Sequence, residues 1–298
     1  MTFTAATPHS EQRQALIDQL WVYPIKSCAG ISVQQATLTD TGLDLDRAWM
    51  VVDAQGQMLT QRAVPRMALI QPELRHAEMV LRAPGMLALH LSIERAEAPT
   101  QVQVWKDTVP AFEMGTLAAQ WFTDFLNVGP LRLVRFDPEH FRLASREWTK
   151  DVDAFNQFSD GFPVLVTSTA SLDELNNRLV QQGQAPVDMR RFRANVVLRG
   201  ETPDAWQAHD EDRVGVMTVA TDGEAVQLKP VKPCPRCPMP NVNPDTAEVS
   251  PAVGDTLQAY RQDPRVKGAV TFGMNAIPLS GLGEVLRVGQ WVSADWAF

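Results

Sequence analysis

The sequence predicts a mainly β protein with α+β elements: barrel-type sheets with helices packed at their margins. Three observations carry this. Short segments of alternating apolar and polar residues recur along the chain. Few segments show a helical stripe, and only two show it clearly. No internal repeat or low-complexity tract points to another architecture.

Residues 47–53 and 58–62 read as a hairpin around a turn containing Gly56. Leu87, Leu89, Leu91 and Ile93 alternate with Ala88, His90 and Ser92, the period-two signature of a half-buried strand. Val102 and Val104 begin another strand, ending at Trp105. Between 113 and 127, Leu117, Trp121, Phe122 and Phe125 fall on one helix face, with Gly129 beyond as a stop. A second helix is expected to begin at Ser171, spaced from Glu174 as in a capping box. Leu172, Leu175 and Leu179 form its stripe and Gly183 ends it. A short third helix covers 255–262, and strands return at 193–199, 214–220, 225–231 and 284–292. The charged, aromatic stretch 135–160 reads as a connection between two halves, 15–135 and 136–298.

A length of 298 residues suits two modest domains, and 45% hydrophobic with 21% charged residues suits a globular core. The net charge of −8 argues against nonspecific nucleic-acid binding, which needs a broad basic face. An anionic ligand would then need a local cluster of Lys and Arg. Three cysteines, an odd number, build no disulfide framework by themselves. Residues 1–19 hold no apolar signal core, and nowhere do 18 apolar residues run together. A reducing, cytoplasmic setting without a membrane is the expectation.

The chemistry concentrates around Cys234-Pro235-Arg236-Cys237, a C-x-x-C pair flanked by prolines, with Asn243 to Thr246 beyond. An adjacent cation favours thiolate, the form that binds metals and attacks electrophiles. Structural zinc needs a second ligand pair; only Cys28 and five scattered histidines remain. A thioredoxin-like pair needs a helix directly after it, which Pro238 and Pro240 forbid. Two cysteines buried in a proline-rich loop would be the plain alternative. The surrounding residues weigh against it. Lys26 and Ser27 lie in a Pro- and Gly-bounded turn, Arg62 ends a strand, and Arg190, Arg191, Arg193 and Asn195 precede another. Together they supply the basic cluster an anionic cofactor requires.

These residues carry a resemblance. Leu20 to Cys28, Asp46 to Met50, Met58 to Arg62 with Pro65-Arg66, Phe158 to Asp160 with Pro163, and Arg191 to Asn195 occur in order. Cys234 to Cys237, Asn243 to Thr246, Asp263-Pro264, Phe272 to Asn275 and Val288 to Val292 follow. In this series the chain resembles MOSC proteins with a MOSC N-terminal β-barrel, the group of the mitochondrial amidoxime-reducing component and its bacterial relatives. The resemblance implies a MOSC N-terminal β-barrel domain packed on a MOSC β-barrel domain. It also implies a bound molybdenum cofactor, a pterin dithiolene with a phosphate tail. Cys237 would be the protein thiolate on molybdenum, with Cys234 structural or supporting. Lys26, Arg62, Arg193, Asn195 and Arg236 would contact the cofactor, with Ser27 and Asp160 in support, and Asp160 would order proton delivery.

The implied reaction is two-electron reduction of small N-hydroxylated substrates such as amidoximes and hydroxylamines. No cysteine follows Cys237 in this sequence, so a C-terminal iron–sulfur domain supplying electrons is not expected. The expected donor is a separate protein of the ferredoxin, cytochrome b5 or flavoprotein reductase type. Where many relatives carry a carboxylate before a proline, this chain has Asn243, which leaves a proton role there open. Two alternatives stand: a cofactor carrier or sulfur-handling MOSC protein, and an interaction module without cofactor. Mobilising sulfur from cysteine would need a pyridoxal-phosphate domain, for which the chain is too short.

Overall fold

A computed structural model of the chain describes residues 12–297. The expectation drawn from residues 1–19 lies largely outside them. Seven strands close a barrel in the order Val164–Ser168, Val196–Arg199, Gln12–Val22, Trp291–Trp296, Val214–Val219, Val226–Pro235 and Ala269–Ser280. The last pairs back onto the first through Val164↔Ala276 and Val166↔Met274, so no edge is left open. Only Val164–Ser168 and Val196–Arg199 run parallel, and the helix Thr169–Gln181 makes the crossover between them.

The strand Gln12–Val22, which periodicity did not reveal, starts the chain yet sits in the middle of this barrel between two C-terminal strands. Its buried residues are Ala15 and Ile17, then Leu20 and Val22. The phase slips by one where the register shifts between Ile17 and Gln19. A bulge there disguises the alternation.

The chain then leaves the barrel for a four-stranded antiparallel sheet, Trp49–Asp53, Leu131–Phe136, Asp107–Glu113 and Pro99–Val104, and a smaller three-stranded one. The helix Thr116–Leu126 buries Trp121, Phe122 and Phe125 in a core shared with both sheets. Each such ring contributes roughly 2–3 kcal/mol by leaving water.

Several sequence expectations need correction. Trp49–Asp53 is a strand, but Met58 makes only a single bridge to Val52 and residues 61–63 are a turn. Leu117 is 69% exposed and does not join the helix's apolar face. The second helix is capped by Ser168, whose hydroxyl accepts from the Ser171 backbone N–H, so Ser171 lies inside the helix. The third spans Ala252–Tyr260. Residues 284–292 divide into two strands, Val285–Arg287 and the start of Trp291–Trp296. The expected strand over 225–231 continues to Pro235 despite its prolines. Register shifts between Pro230 and Lys232 and between Pro233 and Pro235 absorb the missing donors.

At one end of the barrel the Glu211 carboxylate is fully buried and accepts from Ser168 Oγ (2.9 Å) and Ser171 Oγ (2.6 Å). Burial, reinforced by Asp212 and opposed by the serine hydroxyls, raises its pKa from 4.5 to about 7. A raised carboxyl pKa means the fold favours the protonated form. Its stabilising contribution is complete below pH 4.5 and is lost as pH rises through about 7. Urea midpoints measured at pH 5 and pH 8 should therefore differ more in the native chain than in Glu211→Gln, by up to roughly 3 kcal/mol. Equal pH slopes would remove Glu211 from the account.

Candidate functional site

The cleft lies where the chain passes between barrel and sheets. After Val22 the segment Tyr23 to Cys28 crosses over; Lys26 N–H donates to Trp49 O at 2.8 Å and Cys28 N–H closes a turn on Ile25 O. That turn sets Ser27 at φ +69. It presents Lys26, 6% exposed, with Nζ donating to Phe158 O at 2.8 Å and to Asp160 Oδ1. Arg47 (φ +53) and Arg193 (φ +57) also adopt the left-handed region that side chains disfavour. Three such residues around one cleft are a concentration of strain typical of functional sites.

The loop returning from the sheets is organised by Arg142, 7% exposed. Its guanidinium donates to Asn156 Oδ1, Gln157 O and Ser159 O at 2.7–2.8 Å and pairs with Asp107 at 3.0 Å. This loop carries Asp160. Burial would raise the Asp160 carboxyl, but the charge and hydrogen bond of Lys26, with help from the Trp105 indole N–H and Arg47, outweigh it. The carboxyl is held well below the usual carboxylate range. Its side chain is 65% exposed, so the close ion pair, more than desolvation, governs it. Lys26 is pulled down by burial and supported by Asp160. The pair therefore keeps its proton on Lys26. Asp160 is a standing counter-charge that orients the Lys26 amine.

From the third side comes the turn after Met189–Phe192, with Phe192 stacked on Phe272 at 3.9 Å between centroids. Arg193 donates to Cys28 O and lies 4.3 Å from the Tyr23 ring, while Arg47 covers the same ring at 4.6 Å. Burial and Arg47's charge lower the Arg193 pKa to about 10. Asn195 is spent on structure. Its Oδ1 accepts from Leu165 N–H and Arg47, and its Nδ2 donates to Trp21 O.

Cys237 follows the strand Val226–Pro235, half-buried on the cleft wall. The guanidinium of Arg236 does not serve it. Nη1 donates to Cys234 Sγ at 3.1 Å and Nη2 to Phe192 O at 2.9 Å. The expected cationic support for Cys237 is thus given to Cys234, because the side chain folds back along its own strand. Burial raises the Cys28 thiol to about 12, so it is inert.

The cleft is lined by Lys26, Ser27, Asp160, Arg193, Asn195, Arg236 and Cys237, seven of the eight residues singled out in the sequence. Arg62 is not among them. It stacks 4.5 Å over Trp105, whose indole donates to Asp160 at 3.2 Å, and so touches the site one ring removed. Arg47 lines the cleft and was given no role in advance, although it belongs to a segment that carried the resemblance. Trp105 was read only as the end of a strand; an aromatic at φ +56 in a hairpin turn, 43% exposed, is the signal that marks it. Asn243 lies apart, its Oδ1 accepting from Asp245 N–H in a local turn.

Among the described residues no group of three His, Cys, Asp or Glu side chains could hold a metal by itself. A metal here must bring most of its own ligands. Among the described residues, three buried atoms of cleft-lining side chains have no hydrogen-bond partner: Ser27 Oγ, Arg193 Nη2 and Arg236 Nε. Orphaned donors beside a thiol fit an anionic, sulfur-ligated metal cofactor.

A closed barrel and a sheet-and-helix half meeting at a cation-lined cleft, with the half-buried thiols of Cys234 and Cys237 on its wall, define a two-domain MOSC protein. Residues 14–129 match the MOSC N-terminal beta barrel domain and 153–294 match the MOSC domain. Human mitochondrial amidoxime-reducing component 1 is 36% identical over 267 residues, covering 84% of this chain and 73% of that protein. Mitochondrial amidoxime reducing component 2 of Bos taurus is 34% identical over 259 residues with the same coverages. Molybdenum cofactor sulfurase of Bos taurus is 28% identical over 293 residues, 93% of this chain but 32% of the sulfurase. The chain belongs to the MOSC family that includes the mitochondrial amidoxime-reducing components. These homologues support a function associated with the molybdenum cofactor. No helix among the described residues is long and apolar enough to cross a membrane.

Proposed function

We propose that the protein is a molybdenum-cofactor-dependent reductase of small N-hydroxylated compounds, with Cys237 as the thiolate that holds the metal. The observation that carries it is the placement of that half-buried thiol among the orphaned donors of Ser27, Arg193 and Arg236. When bound, the cofactor supplies a two-electron reservoir that no side chain here provides. Arg193, which pairs with no carboxylate among the described residues, offsets its negative charge, and Lys26 and Arg47, each already ion-paired, add hydrogen-bond donors. Asp160 holds the Lys26 amine between itself and Phe158 O, so a proton passed within the cleft leaves from Lys26 Nζ. Electrons come from a separate donor protein of the ferredoxin, cytochrome b5 or flavoprotein reductase type.

The test is reduction of benzamidoxime by cofactor-loaded protein with a chemical electron donor. Product formation that tracks molybdenum content is expected. The match to the sulfurase over 93% of the chain favours one other reading, a cofactor carrier. Full loading without turnover would select it.

A further inference from the structure

A second pocket lies on the far side of Arg193, which lines both cavities. It encloses about 300 Å³ against about 100 Å³ for the cleft, and Tyr23, Gln61, Gln71, Arg191 and Asp245 are on its walls. Tyr23 is 1% and Gln61 6% exposed, yet among the described residues neither the Tyr23 phenol nor the Gln61 amide makes a hydrogen bond. Both polar groups keep some solvent contact, whereas Arg193 Nη2 is fully buried without a partner among these residues, which costs free energy unless a ligand completes it. The cations show the same incompleteness. Arg190 is satisfied, with two hydrogen bonds to the Asp245 carboxylate (both 2.8 Å) and two to Asp188. Asp245 is thereby neutralised and does not repel an anion.

Arg191 donates only to Pro240 O at 3.0 Å, and neither Arg191 nor Arg193 pairs with any carboxylate among the described residues. Burial lowers the pKa of both, as expected of guanidinium groups lacking a counter-ion. Two half-buried arginines, a phenol and an amide make a donor-rich set around a concave space. Arginine's fork matches the tetrahedral oxygens of a phosphate.

We propose that this second pocket is a phosphate-monoester site, with Arg191 and Arg193 as the counter-charges and Tyr23 and Gln61 as hydrogen-bond partners. The phosphate has two possible sources. It is either the tail of the cofactor whose metal end lies by Cys237, an arm that rests on the function proposed above, or a separate phosphorylated molecule. The pocket's anion chemistry is common to both.

The test titrates inorganic phosphate calorimetrically into protein purified from a host unable to make the cofactor. Saturable binding is expected. Arg191→Met should weaken it by about tenfold or more, the loss of a charged hydrogen bond. Gln61→Glu should abolish it by placing a carboxylate on the wall, and unpaired arginines on the same wall offset that charge in the fold. Tyr23→Phe, which keeps the ring that Arg47 and Arg193 cover, should weaken binding a few-fold. No saturable binding, or equal affinity in the native chain, Arg191→Met and Gln61→Glu, overturns the inference. Repeating the titration on cofactor-loaded protein separates the sources: lost binding assigns the pocket to the cofactor's tail, and retained binding to a separate ligand. Because the main titration uses cofactor-free protein, its outcome is independent of whether amidoximes are reduced.

Discussion

Cys237→Ser is expected to fold normally and to emerge from a cofactor-producing host without molybdenum. Among the described residues the thiol makes no hydrogen bond, and it is half-buried, so removing it should change unfolding free energy by less than about 0.5 kcal/mol. The metal loses the thiolate proposed to hold it, and a neutral hydroxyl is a harder, weaker donor to a centre already held by sulfur. Loss of a direct ligand should exceed the 10–100-fold penalty typical of groups that merely orient ligands, so occupancy should fall by more than about a hundredfold. Cys234→Ser is the matched control. Its sulfur accepts from Arg236, a role a hydroxyl oxygen can take over, so metal content should stay near native. Thiol labelling checks the assignment independently, since native protein should expose Cys234 and Cys237 and protect Cys28, whose thiol is buried and raised to about 12. Equal molybdenum in both serine variants would end Cys237's candidacy.

The sequence displayed the ingredients of this site better than their partnerships. Strands such as Leu89–Ser92 and Val214–Val219, and the buried stripe of Leu175 and Leu179, follow from local periodicity. The membership of Gln12–Val22 in a barrel of C-terminal strands does not, because pairing between Leu16 and Arg199 or Trp291 spans most of the chain. A bulge also broke the alternation that might have shown the strand. Seven of the chosen residues converge on the cleft because their segments sit at chain crossings between the halves. What each side chain does there depends on tertiary neighbours. Arg236 is adjacent to Cys237 in sequence yet bonds Cys234. Asn195 looked like a ligand contact and ties two strands to Arg47. Arg62, read as a cofactor contact, stacks on Trp105 and reaches the cleft through that ring.

The largest stability effect should come from a residue outside the thiol's reach. Arg142→Ala removes a buried guanidinium that donates to Asn156 Oδ1, Gln157 O and Ser159 O, and pairs with Asp107 on the hairpin strand Asp107–Glu113. Its loss leaves three acceptors of the 156–160 loop short of a donor and Asp107 short of its cation. Breaking such a buried charged network costs roughly 3–5 kcal/mol. Against a usual total of about 5–15 kcal/mol, urea unfolding should show a large drop in midpoint. Arg142→Lys should recover only a small part, because one ammonium on a flexible stem cannot span a carboxylate and three fixed acceptors at once. The site should suffer with the fold. Phe158 O and Asp160, the two partners of Lys26, ride on the same loop, so Lys26 loses its position even where the variant remains folded. Asp107→Ala isolates the ionic share. If it equals the cost of Arg142→Ala, the loop acceptors contribute nothing, and the loop holds Asp160 in place without Arg142.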